Sequence, residues 1–163
     1  NWYLMAADQG FAEAQHALGF FYFKGLGGEK NVTEAVKWIE RAANQGLARA
    51  QTFLGILYIK GDGVYPDLDE AVKWFHKAAY QGDALAQHKL ALIYAKDHSQ
   101  PDNDNKAYAW WMLSADGGNP DAKFNLAKLT ARMSADKIEQ ARKKAYDLSS
   151  TIKKLINNEK LVK

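Results

Sequence analysis

Residues 46–82 read GLARAQTFLGILYIKGDGVYPDLDEAVKWFHKAAYQG, and this stretch decides the fold. Gly46 and Gly82 bracket it, 36 residues apart, and the same step carries to Gly10 and Gly118. Moving outward by 36 residues, Trp74 finds Trp2, Trp38 and Trp110, and Ala79 finds Ala7, Ala43 and Ala115. Ala50 finds Ala14, Ala86 and Ala122, and Leu54 finds Leu18, Leu90 and Leu126. Tyr58 finds Tyr22 and Tyr94 and lapses at Thr130, and Ala71 finds Ala35 and Ala107. Ten of the twelve glycines and four of the five tryptophans fall in such columns, a register that chance does not produce. Self-similarity at this period is the mark of a repeat array.

Each unit reads as two helices. In the first full unit Ala14, Leu18, Phe21, Tyr22 and Gly25 follow helical spacing, so helix A runs from about Phe11 to Lys24. Gly25 and Gly27 end it, as Gly61 and Gly63 do one unit later, because glycine accepts the positive φ of a helix terminus. Thr33 and Asp69 are the expected N-caps of helix B, whose inner stripe is Ala35, Trp38, Ile39, Ala42 and Ala43. Small residues such as Ala14, Gly19, Ala35 and Ala42 let helices approach toward the short end of the roughly 8–10 Å range. A single helical pair cannot bury its own faces, whereas stacked pairs can.

These columns, A-x3-L-G-x2-Y-x2-G-x-G followed by A-x2-W-x3-A-A-x2-G, resemble the Sel1-like repeat family, bacterial type, a relative of the tetratricopeptide repeat. The likeness covers roughly residues 1–132 and is densest at Ala50, Leu54, Gly55, Tyr58, Gly61, Gly63, Val64, Ala71, Trp74, Ala78, Ala79 and Gly82. It implies an all-α fold: a right-handed α/α superhelical solenoid of helix-turn-helix repeats with a C-terminal capping helix. The expected organisation is the second half of a truncated repeat over 1–10, then repeats over 11–46, 47–82 and 83–118. Helix A of a last partial repeat over 119–133 follows, then a capping helix and tail over 134–163. The third repeat has a divergent loop at 97–105, where Asp97-His98-Ser99-Gln100-Pro101-Asp102-Asn103-Asp104 replaces the glycines. The resemblance also implies a non-catalytic scaffold or adaptor for a protein or peptide; it favours an exported, periplasmic or envelope-associated location and leaves a cytoplasmic one open. One branch of the family carries a cysteine pair in each repeat and is linked to β-lactam binding. This chain has no cysteine, so neither feature carries over.

Composition narrows the chemistry. The 163 residues are 47% apolar and 25% charged, ordinary globular values. No run approaches the roughly 18–20 apolar residues of a membrane span. No basic segment followed by an apolar one opens the chain, which starts mid-pattern at Asn1-Trp2 and reads as a fragment. The absence of cysteine excludes disulfides, cysteine-ligated zinc and thiol catalysis. Net charge is +3, and it is uneven: residues 134–163 carry +4 and the rest −1.

The expected binding face is helix A, on the concave side of the array. Its outward stripe is Glu13, His16, Ala17, Phe20, Phe23 and Lys24, then Arg49, Thr52, Phe53, Ile56, Ile59 and Lys60. Leu85, His88, Lys89, Leu92, Ala95 and Lys96 follow, and Asp121, Phe124, Asn125 and Lys128 end it. The residues assigned to a partner are His16, Phe20, Phe23, Lys24, Thr52, Phe53, Ile56, Lys60, His88, Lys89, Leu92, Lys96, Asn125 and Lys128. Phe20, Ile56 and Leu92 would give an apolar floor, and Lys24, Lys60, Lys96 and Arg132 a basic ladder. That combination suits an extended or helical peptide of acidic character. The bland reading is that such aromatics are core and such lysines answer the helix dipole.

Other chemistries find little support. His16 and His88 share a column, and His76 and His88 flank one junction, with no cysteine or paired carboxylate at metal spacing. Asp102-x-Asp104 lacks the glycine and distal glutamate of a calcium loop. No nucleophile elbow, phosphate loop or His-Glu-x-x-His occurs. A hydrolase would have to rest on Glu13, His16 and His88. From Ser134, an expected N-cap, Ile138, Ala141, Ala145, Leu148, Ile152, Leu155 and Ile156 keep helical spacing over about 20 residues. Lys137, Arg142, Lys143, Lys144, Lys153 and Lys154 surround that stripe. It reads as a cap, with a membrane-surface or nucleic-acid helix as the alternative. No cofactor, metal or nucleic acid is expected, and the expected state is a monomer.

Overall fold

The computed structural model describes residues 2–97 and 99–161, without the side chains of 159–161. Among the described residues it contains nine helices and no strand. They fall into two compact units, residues 1–78 and 79–163. His98, in the divergent loop, and the side chain of Glu159, in the cap, lie outside what is described.

In the first unit α1 (Trp2–Asp8) precedes α2 (Ala12–Lys24), α3 (Val32–Asn44), α4 (Ala48–Lys60) and α5 (Leu68–Tyr80), whose last two residues belong to the second unit. The helix-B stripe is core: Ala35, Trp38, Ile39, Ala42 and Ala43 are all buried. Trp38 packs on Ala7, Ala14 and Leu18, that is, on its own helix A and on the helix B before it. Trp2 has no helix A of its own among the described residues and is 86% exposed. Glycine makes close approach possible twice: a Cβ on Gly19 would lie 2.7 Å from Ile39 Cδ1, and one on Gly55 2.7 Å from Phe75 Cε1.

The helix ends follow the glycines. Gly25 and Gly61 both sit at φ 71° and cap α2 and α4. The N-caps of the B helices differ from the expected Thr33 and Asp69. Asn31 Oδ1 accepts from the Glu34 N–H at 3.0 Å, and Asp67 Oδ1 from the Glu70 N–H at 2.9 Å. A cap must reach the N–H three residues on, and Asn31 and Asp67 stand at that offset from Glu34 and Glu70, which bring charge to the first turn. Their carboxylates then pair with Lys37 and Lys73 at 2.6 and 2.5 Å.

A glutamine column joins α2 and α4, and α6 in the second unit, each to the helix before it. Gln15 Nε2 donates to the Ala7 carbonyl and Gln51 Nε2 to the Ala43 carbonyl, both at 3.1 Å and both buried. In the second unit Gln87 Nε2 donates to the Ala79 carbonyl at the same distance. These carbonyls close their helices and already accept from the N–H groups of Gly10, Gly46 and Gly82, so each glutamine adds a second bond. The column was not among the sequence expectations.

The second unit holds α6 (Ala84–Lys96), α7 (Asn103–Asp116), α8 (Pro120–Thr130) and α9 (Ala135–Leu161). Asp83 caps α6 and Asn119 caps α8. The loop expected at 97–105 is shorter, because Asn103, Asp104 and Asn105 already form the first turn of α7. Asn103 is buried, and its Nδ2 donates to the Asp97 carbonyl at 2.8 Å and to Asp97 Oδ2 at 2.9 Å. That pair replaces the glycine turn, and Asp97 ends α6 at φ −92°. The other acids hold neighbouring helices: Asp102 pairs with Lys144 of α9, and Asp104 with Arg132 just beyond α8 at 2.9 Å.

α9 begins after Ser134, as expected, but runs 27 residues rather than about 20. Its last turns contain Lys, Asn, Glu and Leu and no glycine or proline to stop it. It packs against α7, burying Ala141, Ala145 and Ile152. Leu155 lies outside that contact and is exposed.

Candidate functional site

In the first unit four of the assigned residues of α2 and α4, namely His16, Phe20, Phe23 and Phe53, gather into one aromatic cluster. The Phe53 ring of α4 lies 5.2 Å from Phe23, 6.1 Å from Phe20 and 6.3 Å from His16, centroid to centroid, with Phe23 and His16 edge-on. The inner side of the cluster belongs to the core, since Phe23 and Phe53 pack against the group around Ile39, Leu54 and Leu57. Its outer side is open: Phe20 is 37% exposed and Ile56 half-buried. Helical spacing explains this. Phe20, Phe23 and Lys24 follow one another at i, i+3 and i+4, one face of α2.

Charge borders both ends. Lys24 Nζ lies 5.8 Å from the Phe20 and Phe23 ring centres, and Lys30 Nζ 5.1 Å from Phe23. Lys60 ends α4 and is exposed. At the opposite end Arg49 pairs with Glu13 at 3.1 Å across the two helices. His16 sits beside that pair. Burial, then the Arg49 charge, lowers its pKa, and Glu13 opposes the shift. His16 is therefore neutral at pH 7 and belongs to the apolar face.

In the second unit Leu92, Lys89 and Asn125 are half-buried, and Lys96 and Lys128 exposed. Lys128 Nζ rests 5.4 Å from the Phe124 ring centre, and Asn125 Nδ2 donates to the Asp121 carbonyl at 3.0 Å. α6, α7, α8 and Arg132 enclose a pocket of about 280 Å³ lined by Ala95, Trp111, Asn125, Lys128, Leu129 and Arg132. Arg132, the last rung of the expected ladder, is paired with Asp104.

Two assigned residues have little surface to offer a partner. Thr52 is 2% exposed, and its hydroxyl donates to the Ala48 carbonyl at 3.1 Å; His88 is 6% exposed. Both stand in the His16 column, next in sequence to the buried glutamine column, and there the helix surface turns inward. Sequence reading missed Lys30, which no column marks, the Glu13–Arg49 pair, and Trp111. The signals were present: Glu13 and Arg49 are one period apart, and Trp111 is the tryptophan outside the tryptophan column.

The acids of the 97–104 loop turn to different neighbours instead of to one another. Among the described residues no three His, Asp or Glu side chains gather as metal ligands.

Histidine burial predicts a pH response. Burial lowers the pKa of His16, His76 and His88. The unfolded chain then binds protons that the folded chain refuses, so stability is complete above about 6.5 and declines as pH falls toward the lowered folded values. Asp102 is lowered chiefly by its hydrogen bond from Lys144, so its contribution is lost only at more acidic pH. The urea midpoint is expected to be lower at pH 5.5 than at 7.5. Replacing His88 by Gln should narrow the gap.

Comparison with known proteins accords with this architecture. The Sel1 repeat family model matches residues 1–11, 12–47, 48–83 and 84–119. The crystal structure of a Sel1 repeat protein from Oxalobacter formigenes is 36% identical, with a TM-score of 0.73 over 90% of this chain and 62% of that one. A second is c5321, a protective antigen present in uropathogenic Escherichia coli strains and displaying an SLR fold. It is 29% identical, with a TM-score of 0.74 over 94% of this chain and 33% of that one. The chain thus spans about three fifths of the first relative and a third of the second. No curated protein matches the sequence. Helical hairpins repeated every 36 residues, with matching residues in the alanine, leucine, glycine and tryptophan columns, place this chain in the Sel1 repeat family.

Proposed function

We propose that the chain is a non-catalytic adaptor that binds a protein partner, as a peptide or helix, on the outward faces of its A helices. The observation that carries this reading is the cluster of His16, Phe20, Phe23 and Phe53, open on one side and edged by Lys24 and Lys30. Aromatic anchors with a charged border are the usual energetic centre of an interface. Of the three residues a hydrolase would need, Glu13 is tied to Arg49 and His88 is buried. The basic C-terminal helix has less support as a ligand surface, since Lys144 is held by Asp102 and Ala141, Ala145 and Ile152 of the apolar stripe are buried.

Substituting Phe20→Asp together with Ile56→Asp tests the proposal. Both side chains retain exposure, so the helical circular dichroism should persist. Partners captured from the source cell by wild-type protein should fall at least about tenfold, the loss of one good anchor. Undiminished capture by the folded variant overturns the reading.

A further inference from the structure

The turn between α2 and α3 reads Glu29-Lys30-Asn31-Val32-Thr33. Asn-x-Ser/Thr with no proline between is the acceptor pattern for N-linked glycan transfer. None of the other asparagines of the chain has Ser or Thr two residues on. Bacterial transferases read a longer pattern, with an acid two residues before the asparagine, and Glu29 stands there. The repeat separates this pattern from what packing demands. One period on, Tyr65, Asp67 and Asp69 hold the three positions, and Asp67 caps α5 as Asn31 caps α3. An aspartate therefore meets the demand of the cap. Nothing in the helical pair calls for Asn31 together with Thr33 and Glu29.

The pattern alone is common; the structure adds its presentation. Residues 26–31 are all exposed, and Glu29, Lys30 and Asn31 precede α3 without regular structure. Asn31 is extended, at φ −133° and ψ 93°. Its carboxamide is divided in role: Oδ1 accepts from the Glu34 N–H at 3.0 Å, and no described residue takes a hydrogen bond from Nδ2. A sugar on Nδ2 leaves Oδ1 in place, so cap and glycan can coexist. Just before, Gly27 and Gly28 have nothing within 4 Å of where a Cβ would stand, so the approach is open. Thr33 is exposed in the first turn of α3, and a helix end frays enough to release such a turn. We infer that Asn31 is an acceptor site for an oligosaccharide carried on a polyprenyl diphosphate. Nδ2 forms a bond to the anomeric carbon, and the bond from that carbon to the phosphate oxygen breaks. The lipid diphosphate leaves with the electron pair, and one amide proton passes to the transferase. The chain supplies the amide, and Glu29 and Thr33 mark it. The site stands apart from the partner-binding reading above.

The test is mass spectrometry of the full chain isolated from its source cell. The peptide that carries Asn31 should bear hexose or N-acetylhexosamine masses, with fragment ions that keep the sugar on Asn31. Asn31→Asp should remove the sugar while the helical circular dichroism stays, because aspartate keeps the cap. Thr33→Val should also remove it, and Thr33→Ser should retain it. Glu29→Gln should lower the occupancy; unchanged occupancy strikes the acid from the pattern. A bare Asn31 peptide throughout, sugar confined to other peptides, or sugar that survives Thr33→Val overturns the inference.

Discussion

Phe75→Ala is expected to cost about 3–5 kcal/mol, the range for removing a fully buried aromatic ring. Phe75 has no exposed surface, and its ring is what a side chain at Gly55 would strike, 2.7 Å from Cε1 and 2.9 Å from Cδ1. The ring fills the space that the missing Gly55 side chain leaves, so α4 and α5 meet at van der Waals distance. Emptying that space strands both helices. The loss should appear as a lower urea midpoint and faster amide exchange in α4 and α5. The reciprocal change gives a stringent control. Gly55→Ala alone overfills the contact and should cost about 1–3 kcal/mol. In the double variant the new methyl group occupies part of the vacated volume, so the two losses should sum to more than the observed one. Simple additivity would mean the two positions do not share one contact.

The same pair shows why so much of this fold was legible. A period of 36 residues repeats each packing decision, so a residue such as Leu54 is read against its mates as well as its neighbours. Glycine columns gave the helix ends, and the column of Ala35, Ala71 and Ala107 gave core positions, whereas the tryptophan column is buried only at Trp38 and Trp110. Legibility failed where the repeat itself offers two nearly equal choices. Thr33 and Asn31 are both cap formers two residues apart, and the distance to the Glu34 N–H decides between them. It failed also where a polar residue keeps a column for a tertiary reason. The glutamines at 15, 51 and 87 carried no expectation, because their reason is their bonds to Ala7, Ala43 and Ala79. At the candidate site, spacing put His16, Thr52 and His88 in one column but did not give their depth: only His16 keeps appreciable exposure. The divergent loop shows in the sequence as a break in the glycine columns, but the partners of its acids do not: Lys144 and Arg132 lie 42 and 28 residues from Asp102 and Asp104.

Gly63→Ala is the second large effect, and it separates two demands on one residue. Gly63 adopts φ 77°, which costs an L-residue about 1–2 kcal/mol. The site is also closed to a side chain. A Cβ there would stand 2.8 Å from Val32 Cγ1, 2.9 Å from Val36 Cγ2 and 3.1 Å from the Val32 carbonyl oxygen. The turn after α4 thus lies against the start of α3, and a methyl group must push it away. Adding a modest overpacking cost, Gly63→Ala should lose about 2–4 kcal/mol. Gly27 is its mate one period earlier, at φ 91° with open space where a Cβ would sit. Gly27→Ala therefore carries the conformational part alone, about 1–2 kcal/mol. The difference between the two urea midpoints, converted with a common slope, measures what contact with Val32 and Val36 adds. Equal losses would mean that the turn moves freely off α3 and that only backbone conformation selects glycine in this column.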